Sequence, residues 1–295
     1  MTDAKLAERW SDVQGRRLRY LVGGEGPPLV LVHGLGGSAL NWAELVPLLA
    51  RRRRVLIPNL PGHGGSDALA PDAGLGDFAD RVAALMELEA MAPAAVVGHS
   101  LGGSVVLRLA IRRPEAVSAL VLAAAAGMSH GTFWTRRLLS VFSVMRPGRL
   151  VARRHAVVAR SVVLRRAFFG AFSVTDPRAL TPAAVEGFLS GQTFHTDVAS
   201  AWRALRGDDP RQELESVRPP ALVLWGASDR QLPLRDAFEY ARRLRAPLRV
   251  IADCGHLLIG ERPEACAHAI ESFLDRIGEL DELPGELEAI REPRS

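Results

Sequence analysis

Short apolar runs alternate with longer amphipathic stretches along most of the chain. The runs at residues 28–32, 54–57 and 94–97 are continuous, which is typical of strands buried on both faces of a parallel sheet. Amphipathic segments at residues 39–50 and 77–90 have apolar side chains at helical spacing. The alternation predicts an α/β fold, with a mostly parallel central sheet and helices on both faces.

The same patterns extend towards both ends of the chain. Before the first buried strand, residues 8–13 and 16–22 flank a Gln14-Gly15 turn, and this arrangement predicts a hairpin. Further strands are predicted at residues 120–122, 220–225 and 248–251, and further helices at residues 105–111, 234–244 and 263–277.

One long segment interrupts the alternation. Between residues 128 and 215 no strand pattern occurs, and the spacing of apolar residues predicts several helices. We therefore expect a core formed by residues 1–127 and 216–278, with a helical insertion at residues 128–215. Residues 279–295 are acidic and contain two prolines, so we expect a flexible tail there.

A G-x-S-x-G motif lies where the strand at residues 94–97 turns into a helix. It reads Gly98-His99-Ser100-Leu101-Gly102. A sharp turn of this kind places the serine on a strained backbone and exposes its hydroxyl at the edge of the sheet. The backbone N–H of Leu101 then lies at a helix N-terminus, where negative charge is favoured.

Other polar motifs also follow directly after predicted strands. They include His33, residues 61–63, Asp229 and His256. The carboxyl ends of parallel strands meet at one edge of a sheet, so we expect these residues to lie near Ser100.

Taken together, these motifs resemble those of the α/β-hydrolase superfamily along nearly the whole chain. The resemblance includes an HG loop at residues 33–34, a PGHGxSD-like loop at 61–67, a GHSLGG turn at 98–103, a GxSD loop at 226–229 and a GH pair at 255–256. The resemblance implies Ser100 as nucleophile, Asp229 as the acid and His256 as the base, in the order that the superfamily uses.

The chemistry requires these residue types. A serine hydroxyl is a poor nucleophile at neutral pH, so an imidazole such as that of His256 must accept its proton and later return it. A carboxylate, here Asp229, orients the imidazole and stabilises its charged form. The backbone N–H groups of Leu35 and Leu101 are predicted to hold the oxyanion that develops on the substrate.

Several neighbouring residues receive structural interpretations. Asp67 and Asp253 are rivals of Asp229 for the acid role, and we expect Asp67 to close its own turn. Asn59 departs from the family loop, which often has aspartate at that position. We expect His33, His63 and His99 to support their loops. Trp42 is expected to pack under the loop at residues 33–38 or to contact substrate, and Cys254 to be a small side chain of the core.

The insertion lies where the superfamily carries a cap that shapes the substrate pocket. It has no acidic residue between residues 116 and 175, but nine arginines between residues 136 and 166. On a helical wheel the two kinds of residue separate, with Arg149, Arg153 and Arg160 on one face and Val151, Val158, Val162 and Phe169 on the other. We expect Val158 and Val162 to line a pocket, with the arginines in solvent. The alternative is that the arginines contact anionic lipid, weakly, or an anionic substrate.

Composition adds few constraints. Of 295 residues, 48% are hydrophobic and 24% are charged, which is ordinary for a globular protein. Two cysteines, Cys254 and Cys266, cannot form a disulfide framework, and no apolar run reaches the ~20 residues that span a bilayer. Without a signal-peptide pattern, a cytoplasmic protein is expected. No zinc-ligand spacing occurs, so we expect no metal and no cofactor. We also expect no nucleic-acid partner, and the sequence leaves the oligomeric state open.

These observations predict a serine hydrolase that cleaves a carboxylic ester of an apolar small molecule through an acyl-enzyme intermediate. A carbon–carbon bond hydrolase of vinylogous diketones, and a cofactor-free haloperoxidase or perhydrolase, remain alternatives on the same triad. The serine in the elbow disfavours epoxide hydrolases and haloalkane dehalogenases, whose nucleophile is aspartate. A receptor or scaffold on this fold is disfavoured because binding alone requires neither Ser100 nor His256.

Overall fold

An eight-stranded sheet, in the order β1-β2-β4-β3-β5-β6-β7-β8, forms the centre of the molecule. The computed structural model describes residues 6–129, 154–170 and 173–282. The strands are β1 Ala7–Asp12, β2 Arg17–Gly23, β3 Pro28–Val32, β4 Arg54–Pro58, β5 Ala94–His99, β6 Val117–Ala123, β7 Ala221–Gly226 and β8 Leu248–Ile251.

The pairing of the strands confirms the predicted sheet. The hairpin of β1 and β2 is antiparallel, and β2 also pairs antiparallel with β4. All the other pairs are parallel. Every residue of β5 and β7 is buried, as expected for strands covered by helices on both faces.

The helices follow the strands in the predicted order. They are α1 Val46–Leu49, α2 Leu75–Leu88, α3 Leu101–Arg112, α4 His155–Arg160, α5 Val162–Phe168, α6 Pro182–Ser190, α7 Val198–Gly207, α8 Leu234–Leu244, α9 Leu258–Glu261 and α10 Pro263–Glu282.

The single helix predicted at residues 39–50 is wrong. Ser38 caps a short 3₁₀ helix at Ala39–Trp42, and α1 begins separately at Val46. Pro47 lies in the first turn of α1, where a residue without an N–H is tolerated. A proline in the interior of one long helix would instead break a backbone hydrogen bond, so the segment divides here.

The described part of the segment between β6 and β7 contains helices and no strand. The helical face predicted across residues 149–169 is wrong, because α4 ends at Arg160 and α5 begins at Val162. Ser161 between them is extended, and its hydroxyl accepts a hydrogen bond from the N–H of Leu164. Val158 is consequently 3% exposed and Val162 43% exposed, so the two valines do not share an environment. Residues 149–153 lie outside the described residues.

This helical insertion contacts the core through backbone as well as side chains. A Cβ added to Gly187 in α6 would come 2.2 Å from the carbonyl oxygen of Leu40. A Cβ added to Gly191, one turn later, would come 2.2 Å from Oγ of Ser38. Only glycine allows α6 to approach the turn at residues 38–42 so closely.

The last helix is longer than predicted. It continues from Pro263 to Glu282 rather than ending at Ile277, because the next proline is Pro284. The first four residues of the expected tail are therefore helical, and residues 283–295 lie outside the described residues.

Candidate active site

The serine elbow connects β5 to α3. Ser100 has φ +54° and ψ −117°, a conformation that is rare for any residue except glycine. The bend is possible because a Cβ at Gly102 would lie 2.1 Å from the carbonyl oxygen of Val32, where only a hydrogen atom fits. Ser100 is half-buried at the carboxyl end of the sheet, as the motif predicts.

Three side chains from separate loops form a continuous hydrogen-bond chain. Oγ of Ser100 lies 3.1 Å from Nε2 of His256, and Nδ1 of His256 lies 2.8 Å from Oδ2 of Asp229. The other carboxylate oxygen of Asp229 accepts the N–H groups of Gln231 and Leu232, at 2.8 and 2.9 Å. One oxygen thus orients the imidazole while the other is held by its own loop.

The Asp229 carboxylate remains ionised despite its burial. Burial by itself would raise the pKa of Asp229. The imidazole of His256 and the N–H groups of Leu232 and Gln231 stabilise the charged form, and together they lower the pKa below its ordinary value. The rivals lie elsewhere, and Asp253 is exposed. Asp67 closes its turn only through its backbone carbonyl, which accepts the N–H of Gly62 at 3.1 Å, whereas its side chain accepts the N–H of Arg17 on β2 at 2.9 Å.

The predicted oxyanion loop lies directly beside Ser100. A Cβ added to Gly34 would come 3.0 Å from Cβ of Ser100. The loop turns tightly, with the N–H of Gly37 donating to the carbonyl of Gly34 at 3.0 Å. Of the backbone hydrogen bonds described for residues 33–41, none uses the N–H of Leu35. Leu101 begins α3, and the N–H groups of a first helical turn have no partner within the helix.

Besides His256, three histidines of the site are buried, and they are His33, His63 and His99. His33 donates from Nδ1 to the carbonyl of Gly34 and accepts the N–H of Leu60 at Nε2. His99 donates from Nε2 to the carbonyl of His256 at 2.8 Å. Burial lowers the pKa of His33 and of His99 to about 3, and it places the pKa of His63 well below its usual range. As expected, these neutral rings support loops.

Three further interpretations concern packing. Asn59 accepts the N–H of Ala39 and donates to the carbonyl of Arg19, and an aspartate could not make the second bond. The departure from the family loop is therefore accommodated by hydrogen bonds to Ala39 and to Arg19 of β2. Trp42 is fully buried, and its Nε1–H has no partner among the described residues. Burial raises the pKa of Cys254 to about 12, so its thiol is unreactive, as expected for a core residue.

Sequence reasoning missed a buried carboxylate, Glu261, that supports the histidine loop. Glu261 is 2% exposed, and Oε2 accepts the N–H of Gly255 at 2.7 Å. Its Oε1 accepts the N–H groups of Thr175 and Asp176, both at 2.8 Å. Glu261 therefore connects the loop that carries His256 to the insertion. No local motif distinguishes it from an exposed glutamate.

Sequence reasoning also missed His195, which the insertion carries. Nε2 of His195 donates to the carbonyl of Gly36 at 2.9 Å, and its Nδ1 accepts the N–H of Gly64 at 3.0 Å. The first bond joins residues 159 positions apart, which no local pattern can reveal.

The described residues contain no group of three or more histidine, cysteine, aspartate or glutamate side chains arranged to hold a metal ion. None of the helices in the described ranges is long and apolar enough to cross a membrane.

The sheet, the elbow and the hydrogen-bond chain define a hydrolase fold, and sequence comparison agrees. The family model for the alpha/beta hydrolase fold matches residues 27–263, and the chain belongs to this family.

Among individual proteins, the chain is 35% identical to a pimeloyl-[acyl-carrier protein] methyl ester esterase of Aromatoleum aromaticum, over 84% of this chain and 98% of the relative. It is 30% identical to a 2-hydroxymuconate semialdehyde hydrolase of a Pseudomonas species, over 85% of this chain and 88% of the relative. A similar solved structure is that of a membrane phospholipase A, a bacterial virulence factor. The TM-score is 0.75 and the identity 26%, over 92% of this chain and 87% of the other.

Proposed function

We propose that the protein is a serine hydrolase that cleaves a carboxylic ester of an apolar substrate through an acyl-enzyme intermediate. The observation that carries the proposal is the alignment of Ser100, His256 and Asp229, at 3.1 and 2.8 Å, beside a loop with an unused backbone N–H. A binding protein would need neither this alignment nor the strained serine.

In the first half of the reaction, Oγ of Ser100 attacks the ester carbonyl while Nε2 of His256 takes the hydroxyl proton. Asp229 stabilises the resulting imidazolium. The N–H groups of Leu35 and Leu101 hold the oxyanion, each contributing roughly 3–4 kcal/mol to the transition state. The tetrahedral intermediate then collapses, and the alcohol leaves with the proton from His256.

In the second half, water attacks the acyl group on Ser100. His256 takes a proton from the water and returns it to Oγ of Ser100 when the acid is released. The enzyme therefore ends each cycle in its starting protonation state, with no cofactor taking part.

The insertion, residues 128–215, is proposed to act as a cap over this site. Val158 is buried and is a better candidate for a pocket wall than Val162, which is 43% exposed. Trp42 is a second candidate, because its buried Nε1–H lacks a partner among the described residues.

The outer surface of α4 and α5 is proposed to contact anionic lipid weakly. Exposed apolar side chains, including Val163 and Phe168, lie in the same short segment as the exposed Arg160 and Arg166. The expected separation of arginines from apolar residues therefore does not hold on this surface. An outer surface that mixes the two can contact both headgroups and the acyl boundary.

Carbon–carbon bond hydrolysis is the second candidate. The relative named 2-hydroxymuconate semialdehyde hydrolase, at 30% identity, favours it, whereas the methyl ester esterase at 35% favours ester cleavage. Both reactions use the same fold, so the choice depends on the pocket and not on the triad.

The test combines a covalent probe with two substrate classes. A fluorophosphonate should label the wild type at Ser100 and fail to label Ser100→Ala, whereas Ser104→Ala, a buried serine in the same helix, should be labelled normally. Asp229→Asn should lower kcat by about 10⁴-fold. Labelling that persists in Ser100→Ala would refute the proposed nucleophile. Faster cleavage of a dienone diketone than of any p-nitrophenyl ester would establish the second candidate instead.

A further inference from the structure

Three imidazole rings connect the core to the insertion next to the oxyanion loop. The ring centroids of His33 and His63 are 5.1 Å apart, and those of His63 and His195 are 5.2 Å apart. His33 and His63 belong to core loops after β3 and β4, whereas His195 lies in the insertion just before α7. The insertion therefore contacts the core loops that follow β3 and β4.

Two of these rings hold opposite sides of one residue, Gly36. The N–H of Gly36 donates to Nε2 of His63 at 3.1 Å, and its carbonyl accepts a hydrogen bond from Nε2 of His195 at 2.9 Å. Their second nitrogens are also bonded: Nδ1 of His63 donates to the carbonyl of Pro61, and Nδ1 of His195 accepts the N–H of Gly64. The partners require opposite tautomers of the two rings.

Gly36 needs such a restraint. Its φ of +68° is open to glycine without a steric penalty, but glycine also has many competing conformations. The Leu35 N–H shares a planar peptide unit with the carbonyl of Gly34, which accepts the N–H of Gly37 at 3.0 Å. A change in the Gly36 backbone would move Gly37 and thereby release the peptide unit that orients the Leu35 N–H. Oxyanion stabilisation requires donors that are already oriented before the reaction begins.

We propose that His195 is a positioning residue that, with His63, clamps Gly36 so that the Leu35 N–H points at the oxyanion. The inference rests on the proposed function. It makes the insertion a part of the catalytic apparatus as well as a wall of the pocket. Burial supports the arrangement, because it keeps the His63 ring neutral and able to accept a hydrogen bond.

A neighbouring contact supplies a matched control. The hydroxyl of Thr196 donates to the carbonyl of Ser66 at 2.8 Å, which also ties the insertion to the loop after β4. This bond does not touch Gly36. Thr196→Val therefore weakens the docking of the insertion without releasing the clamp.

The kinetic test compares His195→Leu, His195→Gln and Thr196→Val. His195→Leu should lower kcat for p-nitrophenyl butyrate about 10-fold with KM nearly unchanged, since loss of a whole oxyanion donor costs about 10²- to 10³-fold. His195→Gln keeps a donor and an acceptor on one side chain and should recover most of the loss. Thr196→Val should remain within about 2-fold of wild type, well below the effect predicted for loss of an oriented donor. Equal losses in His195→Leu and Thr196→Val, or a change in KM alone, would overturn the proposal.

A spectroscopic test separates this inference from the proposed function. Nitrogen-15 NMR of the histidine rings should find the proton on Nδ1 in His63 and on Nε2 in His195, in active and inactive protein alike. The same tautomer in both rings would overturn the clamp even in a fully active enzyme. Wild-type protein that neither takes the fluorophosphonate nor cleaves an ester would refute the proposed function, while the tautomers would still decide on the clamp.

Discussion

Replacing Glu261 by glutamine should destabilise the protein although the side chain keeps its size. The carboxylate accepts three backbone N–H groups, from Gly255, Thr175 and Asp176. An amide has only one oxygen, which can serve either Gly255 or the other two. Its NH₂ group then faces an N–H that has lost its acceptor.

The magnitude follows from these bonds. A hydrogen bond to a charged group contributes about 1.5–3 kcal/mol, and a buried N–H left unpaired costs about 1–3 kcal/mol. Because the amide oxygen in Glu261→Gln still accepts at least one of the three hydrogen bonds, we expect the free energy of unfolding to fall by about 2–4 kcal/mol. For a domain of this size that corresponds to a decrease in Tm of roughly 3–6 °C. The value of kcat should fall as well, because Gly255 precedes His256, the proposed base.

Urea unfolding, followed by circular dichroism, measures the change in unfolding free energy directly. Glu264→Gln is the matched control, since Glu264 is exposed in the first turn of α10 and should change stability by less than about 1 kcal/mol. If Glu261→Gln unfolds at the same urea concentration as this control, the three hydrogen bonds do not support the histidine loop as argued.

Two further predictions concern pH and lipid. His33, His63 and His99 have folded-state pKa values below the ordinary 6.5, so their rings bind protons more readily in the unfolded chain. The contribution of these rings to the free energy of unfolding should be complete above pH 6.5. It should fall as pH decreases towards 3, by up to about 1.4 kcal/mol per pH unit for each ring. Urea unfolding at pH 7 and at pH 5 gives the change in unfolding free energy between the two pH values. This change should be smaller in His99→Gln than in wild type and unaltered in His268→Gln, whose ring is exposed. The same change in both variants would contradict the assignment of the pH dependence to the buried rings. The protein should bind anionic vesicles more strongly than neutral ones, and 0.5 M salt should weaken the binding to anionic vesicles, because each arginine near such a surface contributes about 1 kcal/mol. Charge reversal at Arg160 should weaken sedimentation with these vesicles more than reversal at Arg249 on β8, and equal effects would exclude a dedicated surface on the insertion.

The proximity of the three residues of the proposed triad could be predicted from sequence, because it depends on where strands end. Ser100, Asp229 and His256 each follow an apolar run, and parallel strands bring their carboxyl ends to one edge. The helical break at Ser161 was not predicted, since the periodicity of the valines continues across it. There a serine side chain competes with the helix by capping a new one.

The contacts between the insertion and the core could not be predicted at all. The bond from His195 to Gly36 and those from Glu261 to Thr175 and Asp176 join segments that are far apart in sequence. Each depends on the angle at which the insertion docks. That angle follows from the packing of whole elements, and a single residue type does not encode it.

The backbone contact of α6 with the turn at residues 38–42 has a consequence for protein engineering. Substrate range in such hydrolases is an obvious target for exchanging one insertion for another. Here a transplanted segment would need glycine at positions 187 and 191, because any larger residue collides with Leu40 or Ser38. If His195 positions Gly36 as proposed, the segment would also need an imidazole that donates to the carbonyl of Gly36. A chimaera that copies only the pocket-facing residues would not allow the new segment to pack against the turn at residues 38–42, and the predicted oxyanion loop would lose its contact with the insertion.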